Sequence, residues 1–287
     1  MSVTEARPVW IGEFRKPRNS AAEVRGSIHD DATASKLGFK GGTVAGSIHM
    51  DQFVPGLLEI YGDRWFEIGA MSLYFTQATV DAEAVRATIE PGDERARLTM
   101  HNEAGAQICE GTATLGRDPQ SELAKRSEAQ TPAEPGALRI LKDLKVGDEH
   151  RDLPIRIEPE GLASYLERIT ELVPAYRDDK VLPPAQLVHM THMTRKSVLA
   201  KAAQPSVGLF GALEVEQIAG PLRAGVDYLA RTRVLKLTES PRTENVWYEV
   251  IFTARDGPAK EGGPDVGRLL YLLRFMKGSS PLWTGPT

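Results

Sequence analysis

Residues 27–58 read Ser-Ile-His-Asp-Asp-Ala-Thr-Ala-Ser-Lys-Leu-Gly-Phe-Lys-Gly-Gly-Thr-Val-Ala-Gly-Ser-Ile-His-Met-Asp-Gln-Phe-Val-Pro-Gly-Leu-Leu. The order is a histidine on a loop, a short capped helix, a glycine-rich connection and an apolar helix. Asp31 is the expected N-cap of the short helix, which should end near Gly38. Lys40-Gly41-Gly42-Thr43 is poor helix material and should wrap tightly over whatever lies beneath it, making Gly41 and Gly42 candidates for substrate binding. Met50, Phe53, Val54, Leu57 and Leu58 then fall on one helical face. Pro55 should kink that helix or restart it. Gly46 stands where the helix begins, where a ligand can approach backbone N–H groups at the positive end of a helix dipole.

Ile28-His29-x-Asp31, followed by Ala34, Gly38-Phe39 and Ala45-Gly46, resembles the signature segment of the MaoC-like, R-specific enoyl-CoA hydratase family. The resemblance implies a hotdog fold, in which a long helix is wrapped by an antiparallel sheet. It implies that His29 is the family's acid/base histidine and that the Gly46 N–H binds the thioester carbonyl. The family order is Asp-x-Asn-Pro-(Ile/Leu)-His. Here the aspartate position is Val24, the asparagine position Gly26 and the proline position Ser27, so half of the acid–base pair is replaced.

The bulk properties set wide bounds. A chain of 287 residues suffices for one large domain or two small ones. Hydrophobic residues at 41% and charged residues at 26% suit a soluble globular protein, and a net charge of -4 gives no support for nucleic-acid binding. The single cysteine, Cys109, excludes disulfide scaffolds and lies in a strand pattern, where packing is its expected role. No apolar run approaches the roughly 20 residues of a membrane span, and the N-terminus lacks a signal peptide's apolar core, so a cytoplasmic location is expected.

Along the chain, Gly62 should stop the apolar helix, and 63–69 reads as a loop carrying Trp65 and Phe66. Residues 71–75, 80–89, 95–102 and 107–115 read as strands of an antiparallel meander. Residues 117–138 are rich in Glu, Lys, Ser, Pro and Ala and read as a linker with little to bury. Then the pattern returns. Residues 159–170 read as a helix, and 228–237, 246–253 and 268–276 as strands, with Arg255-Asp256-Gly257 turning between the last two. Ala185-Gln186-Leu187-Val188-His189-Met190 echoes Ala45-Gly46-Ser47-Ile48-His49-Met50, and Gly211-Ala212-Leu213 echoes Gly69-Ala70-Met71. The shared order suggests an internal duplication. The expected fold is α+β: two tandem hotdogs forming a pseudo-dimer, residues 1–116 and 139–287, joined by 117–138. Two such chains could associate as a homodimer of double hotdogs.

In the second copy, Glu171 to Tyr176 can be laid on the family motif. That puts Glu171 at the aspartate position and Tyr176 at the histidine position, with Gln186 replacing the helix-start glycine. By analogy with double-hotdog relatives, the chemistry belongs to the first half.

Each candidate has two readings. His29 either holds its loop or acts as general acid/base beside a thioester, and Gly46 either packs its helix or stabilises an oxyanion. Asp30 and Glu23 are the candidates for the missing carboxylate. Glu171 and Tyr176 are either a solvated acid and a packed ring, or catalytic partners. His49 either faces the cavity or is structural, while Trp65 and Tyr165 are packing or pocket lining. His189 and His192 share a helix face, but no matching carboxylate or thiol cluster completes a metal site, so no metal or cofactor is expected. Arg168, Arg177, Lys180 and Arg195 are either phosphate contacts or a solvated face. There is no Walker loop, dinucleotide fingerprint or Gly-x-Ser-x-Gly elbow. The resemblance therefore implies a hydro-lyase adding or removing water across the α,β bond of an acyl thioester, carried on CoA or an acyl carrier. A thioesterase or a catalytically silent binding subunit is the alternative.

Overall fold

A computed structural model describes residues 7–192, 194, 199–255 and 263–284. The strands are β1 (Trp10–Ile11), β2 (Gly69–Phe75), β3 (Val85–Glu90), β4 (Ala96–Asn102) and β5 (Gln107–Leu115), followed by β6 (Glu149–Ile155), β7 (Gly208–Gln217), β8 (Tyr228–Glu239), β9 (Thr243–Ala254) and β10 (Asp265–Met276). They form a 10-stranded antiparallel sheet in the order β1-β3-β4-β5-β2-β7-β10-β9-β8-β6. Read outward from the centre, β2-β5-β4-β3-β1 and β7-β10-β9-β8-β6 are the same path walked twice. The seam is the β2–β7 pair, with Leu73 opposite Leu213. The expected duplication is therefore a duplication of topology.

In each half the helices lie between the first and second strands. The first half has α1 (Asp31–Lys36), α2 (Gly46–Asp51), α3 (Val54–Tyr61) and α4 (Arg64–Ile68). The second has α6 (Pro159–Leu166), α7 (Pro174–Asp178) and α8 (Pro184–Met190), and α2 packs against α8. Met50, Phe53, Val54 and Leu57 are fully buried, as one apolar helical face requires. Pro55 restarts the helix, since it falls in the first turn of α3, where its missing N–H costs nothing. Gly62 ends α3 at φ 64°, which glycine adopts without strain.

Several expectations need correction. The N-cap of α1 is Asp30, whose carboxylate accepts from the Thr33 amide; Asp31 instead accepts from the Gly42 amide at 2.7 Å. Residues 63–69 are not a loop, because α4 occupies them and buries Trp65 and Phe66 against the sheet. The stretch 117–138 carries α5 (Glu122–Ala129), capped by Ser121 and anchored by the fully buried Leu123. One apolar side chain among charged neighbours was enough to dock it. The helix expected over 159–170 closes at Leu166. Arg195 and the turn at Asp256-Gly257 lie outside the described residues. No helix among the described residues is long and apolar enough to cross a membrane.

Candidate active site

A cavity of about 760 Å³ lies between the halves, within the roughly 300–1,000 Å³ of small-molecule sites. Of the expected site residues, His29, Gly46, His49 and Tyr165 line it; Asp30, Glu171, Tyr176, Gly41, Gly42 and Trp65 do not. Phe75 from the first half and Leu209, Phe210 and Leu273 from the second give it apolar walls, and Val24 is exposed beside it.

His29 Nδ1 lies 2.8 Å from the carbonyl oxygen of Thr43. A carbonyl only accepts, so Nδ1 carries the hydrogen and Nε2 of the neutral ring keeps its lone pair. The loop is fixed by its backbone: the Thr43 amide donates to Ile28 O at 2.9 Å, and Asn19 Nδ2 donates to His29 O at 2.7 Å. Gly42 passes directly beneath His29. A Cβ at Gly42 would stand 2.2 Å from the His29 oxygen, so its role is close packing rather than ligand contact. Downstream, α2 starts at Gly46 with Ala45 as N-cap and no side chain capping its first amides. The Phe75 ring covers the Gly46 Cα, where a Cβ would come within 2.8 Å.

His49 is buried, with Nε2 2.9 Å from Thr79 Oγ1. Burial pushes its pKa down to about 4, so it stays neutral. Asp30 points both carboxylate oxygens at backbone, to the amides of Thr33 and Gly26. Glu171 pairs with Arg15 Nε at 2.8 Å, although burial holds its pKa up at about 7. Trp65 stacks on Tyr61. His189 and His192 both line the cavity, ring centroids 5.2 Å apart, and partial burial lowers the pKa of His189. Among the described residues, no group of three or more His, Cys, Asp or Glu side chains could hold a metal ion. Arg156, Arg168 and Arg274 line the cavity; Arg156 pairs with Glu158 and Asp227, and Arg274 donates to Tyr74.

Among the described residues the second half has no equivalent site. The Val181 amide donates to Ala175 O just as Thr43 does to Ile28 O, which makes Tyr176 the counterpart of His29 in the repeat. But Tyr176 is fully buried, edge-on to Phe66, and off the cavity. The Leu182 amide bonds Leu222 O as Val44 bonds Thr79 O. This register equates Gly46 with Pro184, and the earlier equation with Gln186 slips by two residues. Proline has no N–H, so the second helix start lacks the donor that Gly46 offers. Gln186 instead lines the shared cavity.

One contributor was not expected. Asp51, almost wholly buried in α2, accepts from the Tyr165 hydroxyl at Oδ2 and from the Ala185 amide at Oδ1, 2.9 Å away. Burial pushes its pKa up to about 7 against both hydrogen bonds. The available signal was an acid inside an otherwise apolar helical stretch.

No protein-family model and no curated protein matches the sequence. Solved structures do match. A conserved hypothetical protein of Mycobacterium tuberculosis, described as having a double hotdog fold, superposes with a TM-score of 0.64 at 9% identity, over 95% of this chain and 97% of that one. The fold is a double hotdog. A proposed MaoC domain dehydratase from Chloroflexus aurantiacus follows at 0.62 and 11% identity, over 95% of both chains. A MaoC-like dehydratase aligns at 0.53 and 13%, over 94% of this chain and 98% of the other. In this double hotdog the cavity is built by both halves: His29, Gly46 and His49 come from the first, and Tyr165, Gln186 and His189 from the second.

Proposed function

We propose that this double hotdog is an acyl-thioester hydratase/dehydratase whose acid/base histidine is His29. The observation that carries the reading is the commitment of His29 Nδ1 to the Thr43 carbonyl, which leaves Nε2 for the cavity that Gly46 also lines. A neutral Nε2 takes the proton α to the thioester carbonyl, and the Gly46 N–H stabilises the enolate oxygen as charge develops there. Loss of hydroxide from the β carbon then forms the double bond. The MaoC-like dehydratases among the structural neighbours support this reaction class. The Arg168 guanidinium on the cavity wall suits the phosphates of a CoA or acyl-carrier arm.

The test is mass spectrometry of the purified protein with saturated, 2-enoyl and 3-hydroxyacyl-CoA panels. The expected result is a water-sized mass change on an intact thioester, reduced about 10²–10⁴-fold by His29→Ala. Free CoA plus free acid would reassign the protein as a thioesterase. Saturable binding without turnover would make it a silent subunit that completes a partner's site.

A further inference from the structure

Elimination of water needs a base for the α proton and an acid for the departing oxygen. His29 can be the first, and Val24 stands where the family keeps a carboxylate. Asp51 lies one hydrogen bond behind the same cavity. Both of its oxygens are engaged from the opposite half, by the Tyr165 hydroxyl and the Ala185 amide, and Tyr165 and Ala185 line the cavity while Asp51 does not. The phenol therefore stands between a buried carboxyl and the cavity, where it can exchange a proton with either.

We propose that Tyr165 is the second proton-transfer group of this cavity and that Asp51 is the positioning residue that sets where the Tyr165 hydroxyl proton points. The inference rests on the dehydratase reading above. When Asp51 is ionised, both its oxygens accept, and the Tyr165 O–H is turned inward to Oδ2. When Asp51 is protonated, its own O–H donates to the Tyr165 oxygen, and the phenolic O–H is released toward the cavity. The step balances. His29 Nε2 removes the α proton, the C–H electrons form the double bond and the β C–O bond breaks. The leaving hydroxide takes the Tyr165 proton and departs as water, and the Tyr165 oxygen is refilled from the Asp51 carboxyl. Asp51 ends one proton poorer and His29 one richer.

The charge surroundings suit a reserve proton. Burial, joined by the charge of Glu171 before α7, raises the Asp51 pKa to about 7 against the hydrogen bonds from Tyr165 and Ala185. The other titratable groups acting here are Tyr176 of α7, whose pKa is also raised by burial and by Asp51, and Arg168, whose charge acts on Tyr165. Asp51 therefore changes protonation near neutrality rather than in the ordinary carboxylate range.

The experiment follows dehydration of a 3-hydroxyacyl-CoA across pH for wild type, Tyr165→Phe and Asp51→Asn in the full chain. Tyr165→Phe should lower kcat about 10²–10⁴-fold with KM changed less than about threefold, a split that a loosened fold would not give. In wild type the rate should fall as pH rises through about 7, where Asp51 loses its proton, and Asp51→Asn should remove that limb. If Asp51→Asn does not fold, carbon NMR of the wild-type and Tyr165→Phe carboxyls replaces it, with the Asp51 midpoint expected to rise once the phenol is gone. Tyr165→Phe within about tenfold of wild type, or a KM rising in step with the loss, overturns the role given to Tyr165. A midpoint that does not move overturns the link to Asp51. Wild type that turns over no hydroxyacyl thioester overturns the dehydratase reading itself, and this inference with it.

Discussion

A Cβ on Gly42 would lie 2.2 Å from the His29 carbonyl oxygen and 3.0 Å from Asn19 Nδ2, so any side chain there moves the loop that aims the imidazole. Both neighbours belong to the same hydrogen bond and cannot yield separately. Gly42→Ala should cost about 1–3 kcal/mol of stability, as overpacking does, and should lower turnover at least tenfold at temperatures where circular dichroism shows it folded. Gly42 is conspicuous in the sequence, but what it touches is not: a glycine pair is equally compatible with wrapping a ligand and with wrapping a loop. His29 and Gly46 are legible because they fall on a motif. Asp51 is legible only as an anomaly, an acid beside Met50 and ahead of Phe53. The partner that gives it meaning is 114 residues away, and no local pattern encodes that distance.

At the scale of elements, β9 is fastened to the chain before β6 by a single carboxylate. Glu244, fully buried, accepts from the amides of Arg139, Ile140 and Leu141 at 2.8–3.0 Å and from Trp283 Nε1 at 2.6 Å. Glu244→Ala leaves these donors without their acceptor, at about 1–3 kcal/mol each where water cannot reach them. A fall in the urea midpoint well beyond that of an average surface substitution is expected; an unchanged midpoint would show that the amides find other partners. Most strands were legible because alternation survives wherever one face is buried, and the bounds of β5 were read to the residue, whereas β1 and β6 were not read as strands and the strand expected over 80–89 begins only at Val85. Among the missed helices, α4 is only five residues long, and α5 sets a single buried apolar side chain among charged neighbours. Their helical state comes from what they dock on: Trp65 and Phe66 under the sheet, and Leu123 in a cluster with Trp247 and Leu272. Tertiary context overrode weak local preference in both.

For the molecule as a whole, buried ionisable groups set how stability follows pH. Asp51 has a folded pKa of about 7 against an ordinary 3.8, so between these values the folded chain holds a proton that the unfolded chain has released. Stability from this group is complete at low pH and is lost as pH rises through about 7, a contribution on the order of a few kcal/mol. His49 runs the other way. Its pKa falls from 6.5 to about 4, so its contribution is present above 6.5 and lost as pH falls toward 4. The melting temperature of Asp51→Asn minus that of wild type should therefore grow from about pH 5 to about pH 8; a difference independent of pH would show that the carboxylate is not desolvated in solution. Duplication was legible at this scale, since each half repeats a helical stretch and a meander. Its register was not: the echo around Ala45 and Ala185 matches side chains, whereas the amides of Thr43 and Val181 fix the backbone two residues away.

The seam between β2 and β7 is intramolecular, and so is the cavity on either side of it. Where such walls come from separate chains, the site exists only as far as the chains are associated, and it empties by mass action as they are diluted. Here the walls are tethered, and their effective concentration depends on the connecting chain rather than on how much protein is present. A tethered pair also frees the two copies from being alike. One position can keep an imidazole while its counterpart closes over as a buried phenol, because a substitution in this chain is made once and reaches one wall.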